Sequence, residues 1–197
     1  YLLNETGQLQ ASYDKKHLVP FGEYIPFATL IKKVGLVAFA SNGITGFTEG
    51  NTQNSMTIGN IPAFAILICY ESIFSYEVDE NISEVEWLIH LTNDAWFGSY
   101  SGPQQHLMHL QARAIEQGLP VFRSANTGIS AFIDPYGIII NRLDLNTEGY
   151  IDAKLSKKIE YTLYSNWGAK KWNTLLFCLI VLSIILCFIK VDQLSKN

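Results

Sequence analysis

An α/β domain followed by one membrane-crossing helix is the fold class this sequence predicts, and three observations predict it. The run A-F-A-I-L-I-C, Ala63 to Cys69, follows Pro62 and ends at a polar turn, which is the pattern of a buried central strand. From Met56 to Leu91 the segments read strand, helix, strand, the alternation of α/β layers. The 18 residues from Trp172 to Ile189 carry no charge; at ~1.5 Å per residue they reach roughly 27 Å, close to the thickness of a hydrocarbon core.

Composition limits the functions available. Of 197 residues, 48% are hydrophobic and only 16% charged, enough for one packed domain plus a greasier segment and too apolar for a disordered chain. The net charge of -4 and the scattered lysines leave no basic patch, so nucleic acid is not an expected partner. Two of the three cysteines, Cys178 and Cys187, fall in the apolar tail, far from Cys69, and a disulfide framework is not supported.

Taken in order, Tyr1 to Asn4 and Leu9 to Lys15 flank E-T-G-Q and fit a hairpin, with Lys15 at the exit of its second strand. The segment H-L-V-P-F-G-E-Y-I-P-F, 17 to 27, has two prolines and a glycine that exclude a regular helix, and its Glu23 stands among apolar groups where a carboxylate needs a partner. Phe27 to Ala40, with Lys32 and Lys33 on one side, suits an amphipathic helix that touches either a bilayer or the core. Residues 41 to 54 form a polar, Gly-rich loop to which no chemistry is assigned. Met56 to Ile58 and Ala63 to Cys69 follow as strands, then a helix to about Glu80 and a buried strand, Val85 to Leu91.

T-N-D-A-W-F-G, 92 to 98, leaves that strand at the same edge as Cys69 and leads to a helix from Pro103 to Gln117, stopped by Gly118. His106 and His109 lie one turn apart on it, but no third ligand stands at a metal-binding spacing and no metal is expected. Leu119 to Ile140 reads as strands joined by the turns N-T-G and D-P-Y-G. Arg123 and Ser124 at a strand exit either support a pocket or, for the arginine, form an ion pair on the scaffold. Trp167, Lys170, Lys171 and Trp172 anchor one side of the apolar tail and Lys190 begins the other. The domains expected are 1–155, an α/β unit; 156–171, a linker and interfacial segment; 172–189, a transmembrane helix; and 190–197, a polar tail.

Cys69 is the residue with chemical promise. Ligands of open α/β sheets bind beyond the carboxyl ends of the strands, and the amides of a following helix favour a thiolate there. A buried small residue is the plain alternative.

The motifs Y-x-K-x-H-L-V-P-F-G-E-Y, C-Y-E, T-N-D-A-W-F-G, G-P-x-Q-H and R-S-x-N-x-G, in this order, closely resemble the C-terminal half of the apolipoprotein N-acyltransferases, a membrane-embedded branch of the nitrilase superfamily. The resemblance runs through essentially the whole chain. It implies a nitrilase-like αββα sandwich, here partial, and a Glu-Lys-Cys triad in which Cys69 is the nucleophile and Lys15, with the Tyr70 backbone N–H, stabilises the oxyanion. Glu23 is implied to hold Lys15 charged and in place. Phe21, Tyr24, Tyr70, Glu71 and Trp96 are the expected substrate contacts. The general-base glutamate of the family lies upstream of Tyr1, and this chain, which opens without a methionine, is expected to be a piece of a longer protein.

The activity implied is transfer of an acyl chain from a phospholipid, through a cysteine thioester, to the N-terminal amine of a diacylglyceryl-cysteine in an apolipoprotein, with no cofactor. Its implied place is the bacterial inner membrane with the domain on the periplasmic or outer side. The lysines flanking the tail, taken alone, place the domain in the cytoplasm. Two rivals stand beside this: a nitrilase-type amidohydrolase, with water as acceptor, and a non-catalytic fragment lacking the base.

Overall fold

The computed structural model describes residues 1–28, 46–75 and 84–195. Strand β1, Leu2–Leu3, pairs antiparallel with β2, Leu9–Ala11. A six-stranded sheet follows: β3 (Ser55–Ile58), β4 (Ile61–Ile68), β5 (Trp87–Asn93), β6 (Val121–Asn126), β7 (Ser130–Ile133) and β8 (Ile139–Leu143), adjacent in that order. The pairs β4–β5 and β5–β6 are parallel and the outer pairs antiparallel. Three strands therefore end on one edge, with Ile68 opposite Leu91 and Asn93 opposite Asn126. That edge carries Cys69, the 92–98 segment and the end of β6.

Helix α1, Ser101–Gln117, lies on one face of the sheet and stops at Gly118, whose φ of 67° is the left-handed turn a glycine C-cap supplies. Leu107, Leu110 and Ala114 pack on Ala65, Leu67, Leu88, Val121 and Ala131. Full burial of one such leucine, Leu110 for example, is worth about 1.5–3 kcal/mol. A side chain at Gly118 would collide with Ile159 and Thr162, which strap the end of α1.

The opposite face carries a row of rings across four strands: Phe64–Trp87 at 5.0 Å between centroids, Trp87–Phe122 at 5.3 Å and Phe122–Phe132 at 4.6 Å. Grooves there are lined by Ile89, Leu91 and Phe122 and, toward the β1–β2 hairpin, by Tyr13, Ile66 and Ile68. One face thus buries its side chains under α1, while Leu91 on the other keeps 46% of its surface exposed.

Helix α2, Leu163–Ser195, is interrupted at Gly168 (φ 65°, ψ 163°). Its stretch Lys171–Lys190 is long and apolar enough to cross a membrane, and none of it is buried in the domain. Trp167 and Trp172 lie 5.0 Å apart across the break.

Several expectations are corrected. The hairpin is shorter than expected: its irregular pairing stops at Ala11, opposite Leu2, so Lys15 stands in a loop four residues past β2. The helical segment Leu163–Ser195, broken at Gly168, begins before the Trp172 at which the apolar tail was expected to start. After Cys69 comes a 3-10 helix, Cys69–Ile73, where a longer α-helix was expected; the aligned-dipole reason for a thiolate keeps only one turn of amides behind it. The helix expected over Phe27 to Ala40 lies, beyond residue 28, outside the described residues, as does the end of the one expected to reach Glu80.

Candidate active site

Cys69 directly follows β4 with φ of 50°, a left-handed conformation uncommon for a residue with a Cβ. Such strain persists only where surrounding contacts impose it. Here two sets of contacts do, one on each side of the turn.

The first runs through Glu71, whose side chain is fully buried. Its Oε1 accepts hydrogen bonds from the Tyr13 hydroxyl (2.9 Å) and the backbone N–H groups of Lys16 (2.7 Å) and His17 (3.2 Å). Its Oε2 accepts from the Ile68 N–H at 2.7 Å. One carboxylate therefore fastens the loop carrying Lys15 to the turn carrying Cys69. Glu71, which the resemblance implies is a substrate contact, has four donors on its oxygens and holds two loops together.

Lys15 Nζ lies 2.8 Å from both carboxylate oxygens of Glu23. Glu23 Oε2 also accepts from the Val19 N–H at 2.7 Å, which keeps the carboxylate aimed at the ammonium. This pair is half-buried, so its attraction is screened less than that of a surface pair. Lys15 and Glu23 line a cleft of about 550 Å³ with Asp14, Leu18, Phe47 and Glu49; Cys69 is not among its lining residues.

The 46–51 segment, to which no chemistry was assigned, closes over this loop. Gly50 N–H bonds to the Lys15 carbonyl at 2.8 Å and Phe47 N–H to that of Glu23 at 2.9 Å. A Cβ on Gly50 would stand 2.0 Å from the Asp14 carbonyl oxygen, so only glycine permits the approach.

The second set lies beneath the turn. Asp94, fully buried, receives His106 Nδ1 on Oδ1 at 2.9 Å, Thr92 Oγ1 on the same oxygen at 3.1 Å, and the Arg123 guanidinium on Oδ2. Arg123 also donates to His90 Nδ1 at 2.8 Å and to the Ile129 carbonyl at 2.9 Å. Burial alone would push the Asp94 carboxyl up; the His106 hydrogen bond and the Arg123 charge outweigh it and hold the group below the usual carboxylate range. Burial, reinforced by Arg123, drops His90 well below the ordinary histidine range. Burial lowers Arg123 as well, against the opposing pull of Asp94.

Arg123 is therefore the scaffold ion pair of the two readings offered for it. His106 is buried on Asp94 and Ser72 while His109 is exposed, so the two do not converge on a common point. Of the expected substrate contacts, Trp96 and Phe21 are exposed, at 81% and 76%, while Tyr24 and Tyr70 are half-buried. Tyr70 meets the Phe74 ring edge-on at 5.1 Å.

Sequence reading missed the buried polar cluster. A signal existed: the buried positions of α1, 103, 106, 107, 110, 113, 114 and 117, follow the helical repeat and include His106, Arg113 and Gln117. Polar residues inside an apolar stripe mark a network.

A cysteine on a left-handed turn at the carboxyl edge of parallel strands, with Glu71 fastening that turn to the loop of a carboxylate-held lysine, is the arrangement the structure shows at this edge. Residues 1–162 match the carbon-nitrogen hydrolase family, and the chain belongs to that family. It is 44% identical over 169 residues to an apolipoprotein N-acyltransferase of Rhodopseudomonas palustris, covering 85% of this chain and 31% of that protein. The like-named protein of Sinorhizobium fredii is 42% identical, with 93% and 35% covered. The chain thus spans about a third of the length of these curated relatives. Among solved structures, an amidase from Nesterenkonia sp. AN1, with the acetamide moiety of fluoroacetamide added covalently at its active-site cysteine, superposes with a TM-score of 0.51 at 20% identity, covering 74% of this chain and 50% of that one. The fold is nitrilase-like, with a mixed sheet and helices.

Proposed function

We propose that this chain carries the lysine and cysteine of an N-acyltransferase that moves an acyl chain from a phospholipid to the N-terminal amine of a diacylglyceryl-modified apolipoprotein. The observation that carries the reading is the Glu71 clamp, which joins the Lys15 loop to the Cys69 turn. The names of the 42–44% identical relatives support N-acylation of an apolipoprotein, and the phospholipid donor and diacylglyceryl acceptor are what the family resemblance implies.

In this reading the Cys69 thiol loses its proton to a glutamate that the resemblance puts upstream of Tyr1. The thiolate adds to the ester carbonyl of the phospholipid, and the lysophospholipid alcohol leaves with a proton, giving a Cys69 thioester. The acceptor amine then attacks the thioester, forming the amide and returning the thiol. Lys15, held in place by Glu23, and the Tyr70 N–H stabilise each tetrahedral oxyanion. Phe21, Tyr24, Tyr70 and Trp96 bound the acyl path. The Lys171–Lys190 helix holds the domain at the bacterial inner membrane, with the domain on the periplasmic or outer side.

The test is N-acylation of a diacylglyceryl-cysteine peptide by the full-length protein in phospholipid-detergent micelles. Wild type forms the triacylated peptide, and Lys15→Ala lowers the rate on the order of 10²-fold, the scale of a lost oxyanion donor. Amide hydrolysis without peptide acylation would favour the amidohydrolase reading instead.

A further inference from the structure

The buried cluster beneath Cys69 converges on a single atom, the Cys69 carbonyl oxygen. His90 Nε2 lies 3.0 Å from it, His106 Nε2 3.1 Å, and the Ser72 hydroxyl donates to it at 3.1 Å. The donor on His90 is determined chemically. A guanidinium only donates, so Arg123 at 2.8 Å makes His90 Nδ1 the acceptor, and the ring proton sits on Nε2, facing the carbonyl. Asp94 fixes the other ring: it accepts from His106 Nδ1, so the Nε2 of the neutral ring carries no proton and is a neighbour of the Cys69 carbonyl and of Ser72 Oγ, 3.1 Å from each, while His90 and Ser72 are the donors to that carbonyl.

The consequence concerns the next amide. The Cys69–Tyr70 peptide is trans, so its C=O and N–H point in opposite directions from one plane. With the carbonyl drawn inward, the Tyr70 N–H is turned away from the cluster. We propose that His90 and Ser72, braced by Arg123, Asp94 and His106, are positioning residues that aim the Tyr70 N–H at the acyl carbonyl bound to Cys69. The inference rests on the reading of Cys69 as nucleophile, and it accounts for a left-handed φ at a residue with a side chain.

A merely structural cluster and an aiming device differ in which reactions of the same thiol they affect. Alkylation by iodoacetamide displaces iodide at a saturated carbon and forms no oxyanion. Acylation by a p-nitrophenyl fatty-acid ester does: the thiolate adds to the carbonyl, p-nitrophenolate leaves, and a thioester remains. Both rates are measured at Cys69 in the full-length protein and in His90→Asn and His90→Gln. Asparagine keeps an acceptor for Arg123 and loses the donor to Cys69; glutamine places an N–H near the imidazole Nε2 position. The expected result for His90→Asn is alkylation within about threefold of wild type and acylation reduced at least tenfold, within the roughly 10²–10³-fold scale of a deleted oxyanion donor. His90→Gln recovers most of that loss.

Parallel loss of both rates in His90→Asn, or equal acylation by the two variants, overturns the proposal. If neither folds, Ser72→Ala decides, with acylation reduced several-fold at unchanged alkylation expected and unchanged acylation fatal. Wild-type protein that alkylates but never acylates at Cys69 instead refutes the nucleophile reading itself.

Discussion

Replacing Glu71 by glutamine removes one charge and almost no volume, yet the structure makes it costly. Oε1 serves three donors and Oε2 one, so the least damaging placement keeps the amide oxygen toward Tyr13, Lys16 and His17. The amide NH₂ then faces the Ile68 N–H, donor against donor. A hydrogen bond to a charged group contributes about 1.5–3 kcal/mol, and a buried N–H left unpaired costs about 1–3 kcal/mol. These overlap, and the three remaining bonds become neutral and weaker, so a net loss of about 2–4 kcal/mol is expected. Against a typical domain stability of about 5–15 kcal/mol this is a large fraction. Guanidinium denaturation in detergent, followed by tryptophan fluorescence, measures it. A shift below about 0.5 kcal/mol would refute the clamp.

Three further outcomes are expected. Glu23→Gln should leave the denaturation midpoint nearly unchanged while lowering the acylation rate severalfold or more, because Lys15 loses the charge that holds it at 2.8 Å; unaltered kinetics would make the pair a surface ornament of the loop. Stability should fall as pH drops: His90 stays neutral in the folded protein while the unfolded chain takes up a proton below about pH 6.5, and Asp94 adds its share below about pH 4, where the unfolded carboxylate protonates first. Thermal melts from pH 7 to pH 5 should show this decline, and His90→Gln should flatten it. Gly128→Ala should destabilise by about 1–3 kcal/mol or more, since its Cβ would lie 2.3 Å from Asp94 Oδ2 and must push that carboxylate off Arg123; a melting temperature equal to wild type would show that Asp94 has room to move.

What the sequence made legible was set by hydropathy and punctuation. The apolar run to Cys69, the 18 uncharged residues of the tail and Gly118 as a helix stop each carry a local physical signal. Hydropathy places strand β5 two residues early, at Val85 to Leu91 against Trp87–Asn93. Val85 is buried before pairing starts, and polar Thr92 and Asn93 continue the parallel register with Ala125 and Asn126. The left-handed turn at Cys69 carried no local sign, because no glycine or asparagine marks it. For Glu71 the resemblance implies a substrate contact; three of its four donors lie 54 to 58 residues away, which spacing does not reveal. The Asp94–Arg123–His90 cluster is hidden for the same reason, its bonds spanning 29 and 33 residues.

The most direct measurement is intact-protein mass spectrometry after incubation with phospholipid, followed by peptide mapping. Full-length protein should gain one acyl chain, labile to hydroxylamine and located on Cys69, and Cys69→Ser should gain none. An adduct on Cys178 or Cys187, or undiminished acylation in Cys69→Ser, would contradict the assignment of Cys69 as the nucleophile.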